Sequence, residues 1–341
     1  MAYFQVCYEM RRLPGGKISW DRLYPAFLDQ CEYVDKHGFD SVWLGEHHAA
    51  EDGYLPCPVT ALAAVAARTK RVGLRPIILT PLYDPLRLAE DIALVDLFSS
   101  GRMSPLFAAG YRTVEFDMFG LKLTDRTRLV REAVEVCKQA WTGEWFEYHG
   151  RKVRVTPTPY QRPRPPIYLG ASFEKTIRRG AHIADGFYPG DPKNHWGWFR
   201  DECLKIGRAD PGEAPKQCPT FIFVAEDPEK AWAEVTPHFL HNGNTYAQWM
   251  KEEWGHSLEN FPEVTPETLR TSPEYKVMTP DEAVKLCNEL GDDGIFRPWP
   301  LIGGLDPDVA WSSLELIVNK VMPRVTNPST QSPTWRIPIQ V

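Results

Sequence analysis

Short apolar runs with strand character alternate with helix-period patterns along almost the whole chain, and this rhythm constrains the fold more than any other feature. Strands are predicted at 3–8, 40–44, 72–79, 104–108, 166–169, 186–188, 220–224 and 294–296. Helices are predicted over 21–36, 59–69, 86–98, 127–141, 174–182, 195–206 and 308–321, with further helical segments after residue 224. Eight strand–helix units are the pattern of a parallel sheet with helices outside it. In a chain of 341 residues they suit a closed (β/α)8 barrel, the TIM-barrel class, with insertions, over a single domain at 1–325. Periodicity does not show closure, so an open doubly wound sheet is the competing architecture.

Two segments interrupt the rhythm. Residues 144–160 alternate around His149-Gly150 and predict a β-hairpin excursion. Residues 242–275 are polar but carry Tyr246, Trp249, Trp254 and Phe261, which predicts a long loop and a candidate lid. Residues 326–341, rich in Pro, Ser and Thr, are expected as an extended tail.

A net charge of -6 with no long basic run argues against nucleic acid as a partner. No apolar run approaches the roughly 20 residues of a membrane span, and the N-terminus passes straight into a strand pattern without a signal-peptide profile. The seven cysteines are scattered and lack C-x-x-C spacing, so buried free thiols in a reducing cytoplasm are expected.

Chemistry in such barrels sits on the loops after the strands' C-terminal ends. Glu46-His47-His48 occupies that address after the second strand. Imidazoles titrate near neutrality, so the cluster suits acid/base work or metal ligation. Adjacent residues on a strand point to opposite sides, however, which makes joint chelation of one metal by His47 and His48 awkward, and no metal site is expected. Thr80 follows the third strand, Ala108-Ala109-Gly110 ends the fourth, and Gly170-Ala171-Ser172 ends the fifth and opens into a helix carrying Thr176. Small residues admit a ligand close to the backbone, and a helix N-terminus offers N–H groups to an anion such as phosphate. A tight turn with an N-cap is the simpler account of the same residues. Arg126 and Arg128 can add cationic charge. The chain has neither a G-x-x-x-x-G-K-[ST] loop, nor a G-x-G-x-x-G fingerprint, nor a G-x-S-x-G elbow, nor H-E-x-x-H.

These residues together resemble the bacterial luciferase-like flavin monooxygenases. The likeness is carried by Gly38-Phe39-Asp40-Ser41-Val42-Trp43-Leu44-Gly45-Glu46-His47-His48, by the alanine-rich run from Pro58 to Thr69, by Pro85-Leu86-Arg87-Leu88-Ala89-Glu90, and by Asp96-Leu97-Phe98-Ser99-Ser100-Gly101-Arg102. It continues through Gly110–Gly120, Pro166-Ile167-Tyr168-Leu169-Gly170-Ala171-Ser172, Asp185-Gly186-Phe187 and Val321-Met322-Pro323. The resemblance implies a (β/α)8 barrel that binds reduced FMN at the strands' C-terminal ends and uses oxygen on an organic substrate; the many Trp, Tyr and Phe residues near the expected mouth suggest a small apolar or aromatic one. It implies His47 as the catalytic histidine, with Glu46 tuning it and His48 supporting the loop. Ser172, Thr176 and Arg126 or Arg128 match positions that grip the phosphate, with Thr80, Gly110, Gly170 and Ala171 nearby. Ala108 stands where light-emitting members carry a cysteine, which counts against light emission. A separate NAD(P)H:flavin reductase and a homodimer through the 59–69 helix are further implications. Arg75-Pro76 lies where members often carry a cis peptide, and the isomer stays open. The rivals are a deazaflavin-dependent hydride-transfer enzyme on the same barrel, a flavin-binding protein without turnover, and a metal-dependent barrel hydrolase.

Overall fold

The computed structural model describes residues 2–189, 195–216, 218–256 and 262–326. The sequence predicts one domain over 1–325; packing divides the chain into two compact units, one formed by residues up to 56 together with those from 216, the other by 57–215.

In chain order the first unit begins with β1 (Tyr3–Tyr8), α1 (Trp20–Lys36) and β2 (Ser41–Leu44). The second unit holds α2 (Pro58–Arg68), β3 (Gly73–Leu79), α3 (Pro85–Ser99), β4 (Leu106–Ala108), α4 (Thr113–Met118), α5 (Arg126–Ala140), the hairpin strands β5 (Phe146–Tyr148) and β6 (Arg151–Val153), β7 (Tyr168–Ala171), α6 (Glu174–Ile183), β8 (Gly186–Pro189) and α7 (His195–Lys205). The chain returns to the first unit with β9 (Phe221–Val224), α8 (Pro228–Trp254), α9 (Pro266–Thr271), β10 (Tyr275–Met278), α10 (Pro280–Leu290), β11 (Ile295–Phe296) and α11 (Pro307–Leu316).

Every residue of β1 is buried, as expected of a parallel strand covered on both faces. It pairs in parallel with β2 on one side and β11 on the other. Helix α1 buries Leu23, Phe27, Cys31 and Val34, a strip at helical spacing. In the second unit β3, β4, β7 and β8 are neighbours in that order, all parallel. Their register sets Leu79, Ala108, Gly170 and Tyr188 side by side, so the four strands end together at one edge. Asp84 starts α3 by accepting from the N–H groups of Leu86 and Arg87. The hairpin turns at His149-Gly150, both with positive φ.

The largest departure from the sequence reading lies at 242–275. No loop begins at Asn242; α8 runs unbroken through it to Trp254, and α9 and β10 follow within the same stretch. The Asn-Gly-Asn run (242–244) has low helix propensity, yet tertiary contacts hold it helical. Asn242 donates to Glu9 Oε2 at 2.7 Å, and Asn244 both donates to the Val264 carbonyl at 3.0 Å and accepts from its N–H at 2.8 Å. Gly243 is where the helix meets its neighbours: a Cβ there would stand 2.7 Å from both Tyr275 Oη and Val264 Cγ2. Below this contact Phe223, Trp232, Val235, Phe239, Leu269 and Tyr275 form a shared apolar core. The described residues of this stretch, 242–256 and 262–275, therefore pack into the first unit as regular structure and not as the long loop expected; Phe261, one of the four aromatics, lies outside the described residues.

Smaller corrections follow. Strand β10, paired in parallel with β9, and helix α4 were not anticipated. Arg75–Pro76 is trans; the cis bonds among the described residues are Thr156–Pro157 and Arg162–Pro163. Six cysteines are buried as expected, but Cys57, just before α2, is exposed. The tail expected over 326–341 lies outside the described residues beyond Thr326.

Gly243→Ala sets two effects against each other. Alanine adds about 1 kcal/mol of helix propensity, whereas overpacking typically costs about 1–3 kcal/mol. Because the Tyr275 ring and Val264 are both buried, the clash wins: urea unfolding is expected to show net destabilisation, and an unchanged or higher midpoint would contradict the close approach.

Candidate active site

In the first unit, β1 ends at Tyr8, just before Glu9-Met10-Arg11, and β2 ends at Leu44, just before Gly45-Glu46-His47-His48. The chain after β2 then folds back: His47 N–H donates to the Leu55 carbonyl, and Leu55 N–H to the Glu9 carbonyl. Gly45 is required by this return, because a Cβ there would collide with the Tyr54 hydroxyl. The result buries all three residues of the Glu-His-His run.

The two histidines part company at once. His48 Nε2 and Glu46 Oε1 are hydrogen-bonded at 2.8 Å, so the carboxylate expected to tune His47 also engages His48. His47 lies among aromatic rings: Tyr54 at 4.8 Å, Trp249 at 4.7 Å and Tyr246 at 5.8 Å between centroids. Tyr246 and Trp249 come from α8, the segment whose aromatics stood out in the sequence. Among the described residues no group of His, Cys, Asp and Glu is arranged to hold a metal ion.

Sequence reasoning missed the charged layer beneath these rings. Arg11 is fully buried, and Asp52 Oδ2 lies 2.6 Å from both its Nε and its Nη2. The same oxygen is 2.8 Å from His241 Nε2. Glu9 accepts from Asn242 and, at 2.9 Å, from the Gly303 N–H. Burial raises the Glu9 pKa, with Arg11 and the Gly303 bond opposing. For Asp52 burial also works upward, but the hydrogen bond from His241 and the charge and hydrogen bond of Arg11 outweigh it and hold the carboxyl below its ordinary value. A usable signal existed: Glu9 and Arg11 directly follow the first strand, the same kind of address that singled out His47.

In the second unit β4 and β7 end in small residues. Ala108 and Gly170 stand opposite each other in register, and Ala171 follows on β7. Gly110 turns at a φ of 69°, with the Phe116 ring 3.2 Å from where a Cβ would lie. Thr80 is buried, its hydroxyl donating to the Ile78 carbonyl at 3.1 Å. Ser172 is exposed between β7 and α6, and Thr176 lies in the first turn of that helix. Arg128 is exposed and paired with Glu132 at 3.0 Å and Asp125 at 3.5 Å. Arg126, half-buried at the start of α5, has no ion pair among the described residues.

A family model described as luciferase-like monooxygenase matches residues 16–283. The chain belongs to that family. The oxygenase component of the flavin-dependent trigonelline monooxygenase of Acinetobacter baylyi is 25% identical to it over 347 aligned positions, covering 94% of each chain. The F420-dependent glucose-6-phosphate dehydrogenase of Amycolatopsis mediterranei is 26% identical over 317 positions, 88% of this chain and 87% of that one. Among solved structures, the oxygenating constituent of the 3,6-diketocamphane monooxygenase of Pseudomonas putida, in complex with FMN, superposes with a TM-score of 0.70 at 19% identity, covering 96% of this chain and all of that one. The fold is accordingly that of the luciferase-like barrel family, as the eightfold alternation predicted. No helix among the described residues is long and apolar enough to cross a membrane.

Asp52 supplies a pH-dependent test. Its folded pKa lies below the ordinary 3.8, so its stabilisation is fully present above that value and is lost as pH falls through the lower folded one. Removing one partner of a buried pair typically costs about 3–5 kcal/mol. Asp52→Asn is expected to lose stability of that order at pH 7, with the gap to the parent protein closing as pH falls below 3.8 in denaturant titrations. A gap independent of pH would contradict the ionised pairing.

Proposed function

We propose that this protein is the oxygenase of a two-component system, using reduced FMN and oxygen to oxygenate a small apolar organic molecule. The observation that carries the reading is His47: buried among aromatic rings at the end of β2, at the position of the family's catalytic histidine. The residues of the second unit fit a flavin phosphate. The side-chain-poor ends of β4 and β7 leave backbone accessible, and Ser172 and Thr176 bring hydroxyls to the start of α6, where N–H groups favour an anion. Arg126 is the better candidate for the phosphate, because Arg128 is already committed to Asp125 and Glu132. Thr80, Ala108, Gly110, Gly170 and Ala171 would line the ring system.

When bound, reduced FMN supplies the electrons that activate oxygen. The chain's part is to hold and exclude. The hydroxyls and Arg126 fix the phosphate end. His47 would give or take a proton at its ring nitrogen, and the rings of Tyr54, Tyr246 and Trp249 would keep bulk water from that imidazole. Glu46 and His48 brace the loop through their own hydrogen bond. With no dinucleotide fingerprint in the chain, a separate NAD(P)H:flavin reductase delivers the reduced flavin. The A. baylyi relative, described as an oxygenase component, supports that division of labour. The A. mediterranei relative supports the second reading, hydride transfer with a deazaflavin.

Equilibrium titration with reduced FMN and with F420 separates the two readings, FMN being expected to bind more tightly. A hydrogen bond to a charged group is worth about 1.5–3 kcal/mol, so Arg126→Ala should weaken FMN binding roughly ten-fold or more, while Arg128→Ala should leave it nearly unchanged. His47→Ala should keep FMN affinity but lose coupling of oxygen uptake to product. Preference for F420, or His47→Ala with unaltered coupling, would end the FMN oxygenase reading.

The reading includes a homodimer through α2. Ala64 and Ala67 are exposed on that helix, and Leu94 and Phe98 are exposed on α3, in the same unit. Light scattering at micromolar concentration is expected to give twice the 39.0 kDa chain mass; a monomer would refute the dimer.

A further inference from the structure

We propose that Arg11 is a positioning residue for His47, acting through the three aromatic rings that the two side chains share. The proposal deepens the functional reading, since it assumes that His47 is the group whose placement matters. The guanidinium carbon of Arg11 lies 5.3 Å from the Tyr54 ring centroid, 5.6 Å from Tyr246 and 5.3 Å from Trp249. The His47 ring contacts the same three rings at 4.8, 5.8 and 4.7 Å. Tyr54 and Tyr246 are further linked hydroxyl to hydroxyl at 3.1 Å. The cation and the imidazole thus share one cluster of rings.

A buried cation is a costly way to fill such a place. Desolvation works against Arg11, and the charges of Glu9 and Asp52 more than reverse it, so the guanidinium stays ionised. Replacing a buried ion pair by apolar groups is often neutral or stabilising, so stability alone does not account for the residue. What a guanidinium adds is direction: attraction to ring faces and a planar fork that fixes its own orientation. Asp52 Oδ2 anchors that fork on the return loop, and through His241 it fixes α8, which carries Tyr246 and Trp249. The planes of the three rings are therefore set from behind, and the His47 ring, packed against them, is set with them. Proton transfer tolerates little error in such placement.

The test uses the full chain without cofactor, carrying isotope-labelled histidine, with the His47 ring resonance assigned by its loss in His47→Asn. In the parent protein that resonance is expected to be displaced by ring currents. Arg11→Met should move it back towards the position of an unpacked histidine, and Arg11→Lys, which keeps the charge but loses the planar fork, should recover only part of the displacement. Asp52→Asn serves as the second variant where Arg11→Met does not fold. A folded Arg11→Met or Asp52→Asn with the His47 resonance unmoved overturns the proposal, and so does equal displacement in the Lys and Met variants. With photoreduced FMN, the rate of flavin reoxidation by air in Arg11→Met should approach that of His47→Asn. If the resonance moves as expected but equilibrium titration detects no FMN binding, the flavin reading fails while the positioning role stands.

Discussion

One carboxylate oxygen, Asp52 Oδ2, holds together the parts of the first unit that surround His47. It meets Arg11 from the end of β1 and His241 from α8, and it belongs to the loop that carries His47. Three elements distant in sequence therefore converge on a single buried charge. Such an arrangement is expensive, because each ion has lost its water, and it persists only when geometry repays the loss. Here the return is a layered order: acid groups beneath, the guanidinium above them, then three aromatic rings, then the imidazole.

The second unit solves a different problem with different means. Its strands β4 and β7 end in alanine and glycine, and the helix after β7 begins beside exposed hydroxyl and small side chains. Exposed Phe173 and Glu174 stand at the start of that helix as well. A phosphate needs N–H groups, a few hydroxyls and one cation, and such a site is assembled mostly from backbone. A proton-handling imidazole needs a fixed ring orientation, which only dense side-chain packing provides. The ionic network around Asp52 belongs to the first unit; the second has a buried pair of its own, Arg112 with Glu115 at 3.5 Å.

Much of this was legible in the sequence for definite reasons. Parallel strands buried on both faces write themselves as short apolar runs, so β1 and β3 stood out, and the Glu-His-His run announced itself by following such a strand. The residues that failed to announce themselves have side chains meaningful only beside distant partners. Arg11 looks like any loop arginine until Asp52 and the rings of α8 are in place. The Asn-Gly-Asn run (242–244) reads as a loop because its local propensity is poor; each member is nevertheless claimed by a tertiary contact that propensity cannot anticipate. The bond between Glu46 and His48 could not be read from chain order, because it depends on how the chain turns after β2.

Sequence by itself determined the alternation of strands and helices, the barrel class and the address of the histidine pair, because these follow from local periodicity and chain order. Only the tertiary structure decided which histidine stands among the rings and what lies behind the aromatic wall. Those are questions of direction and partnership between residues as far apart as Glu9 and Asn242. Side-chain identity states what a group can do; the packed fold alone states what it faces.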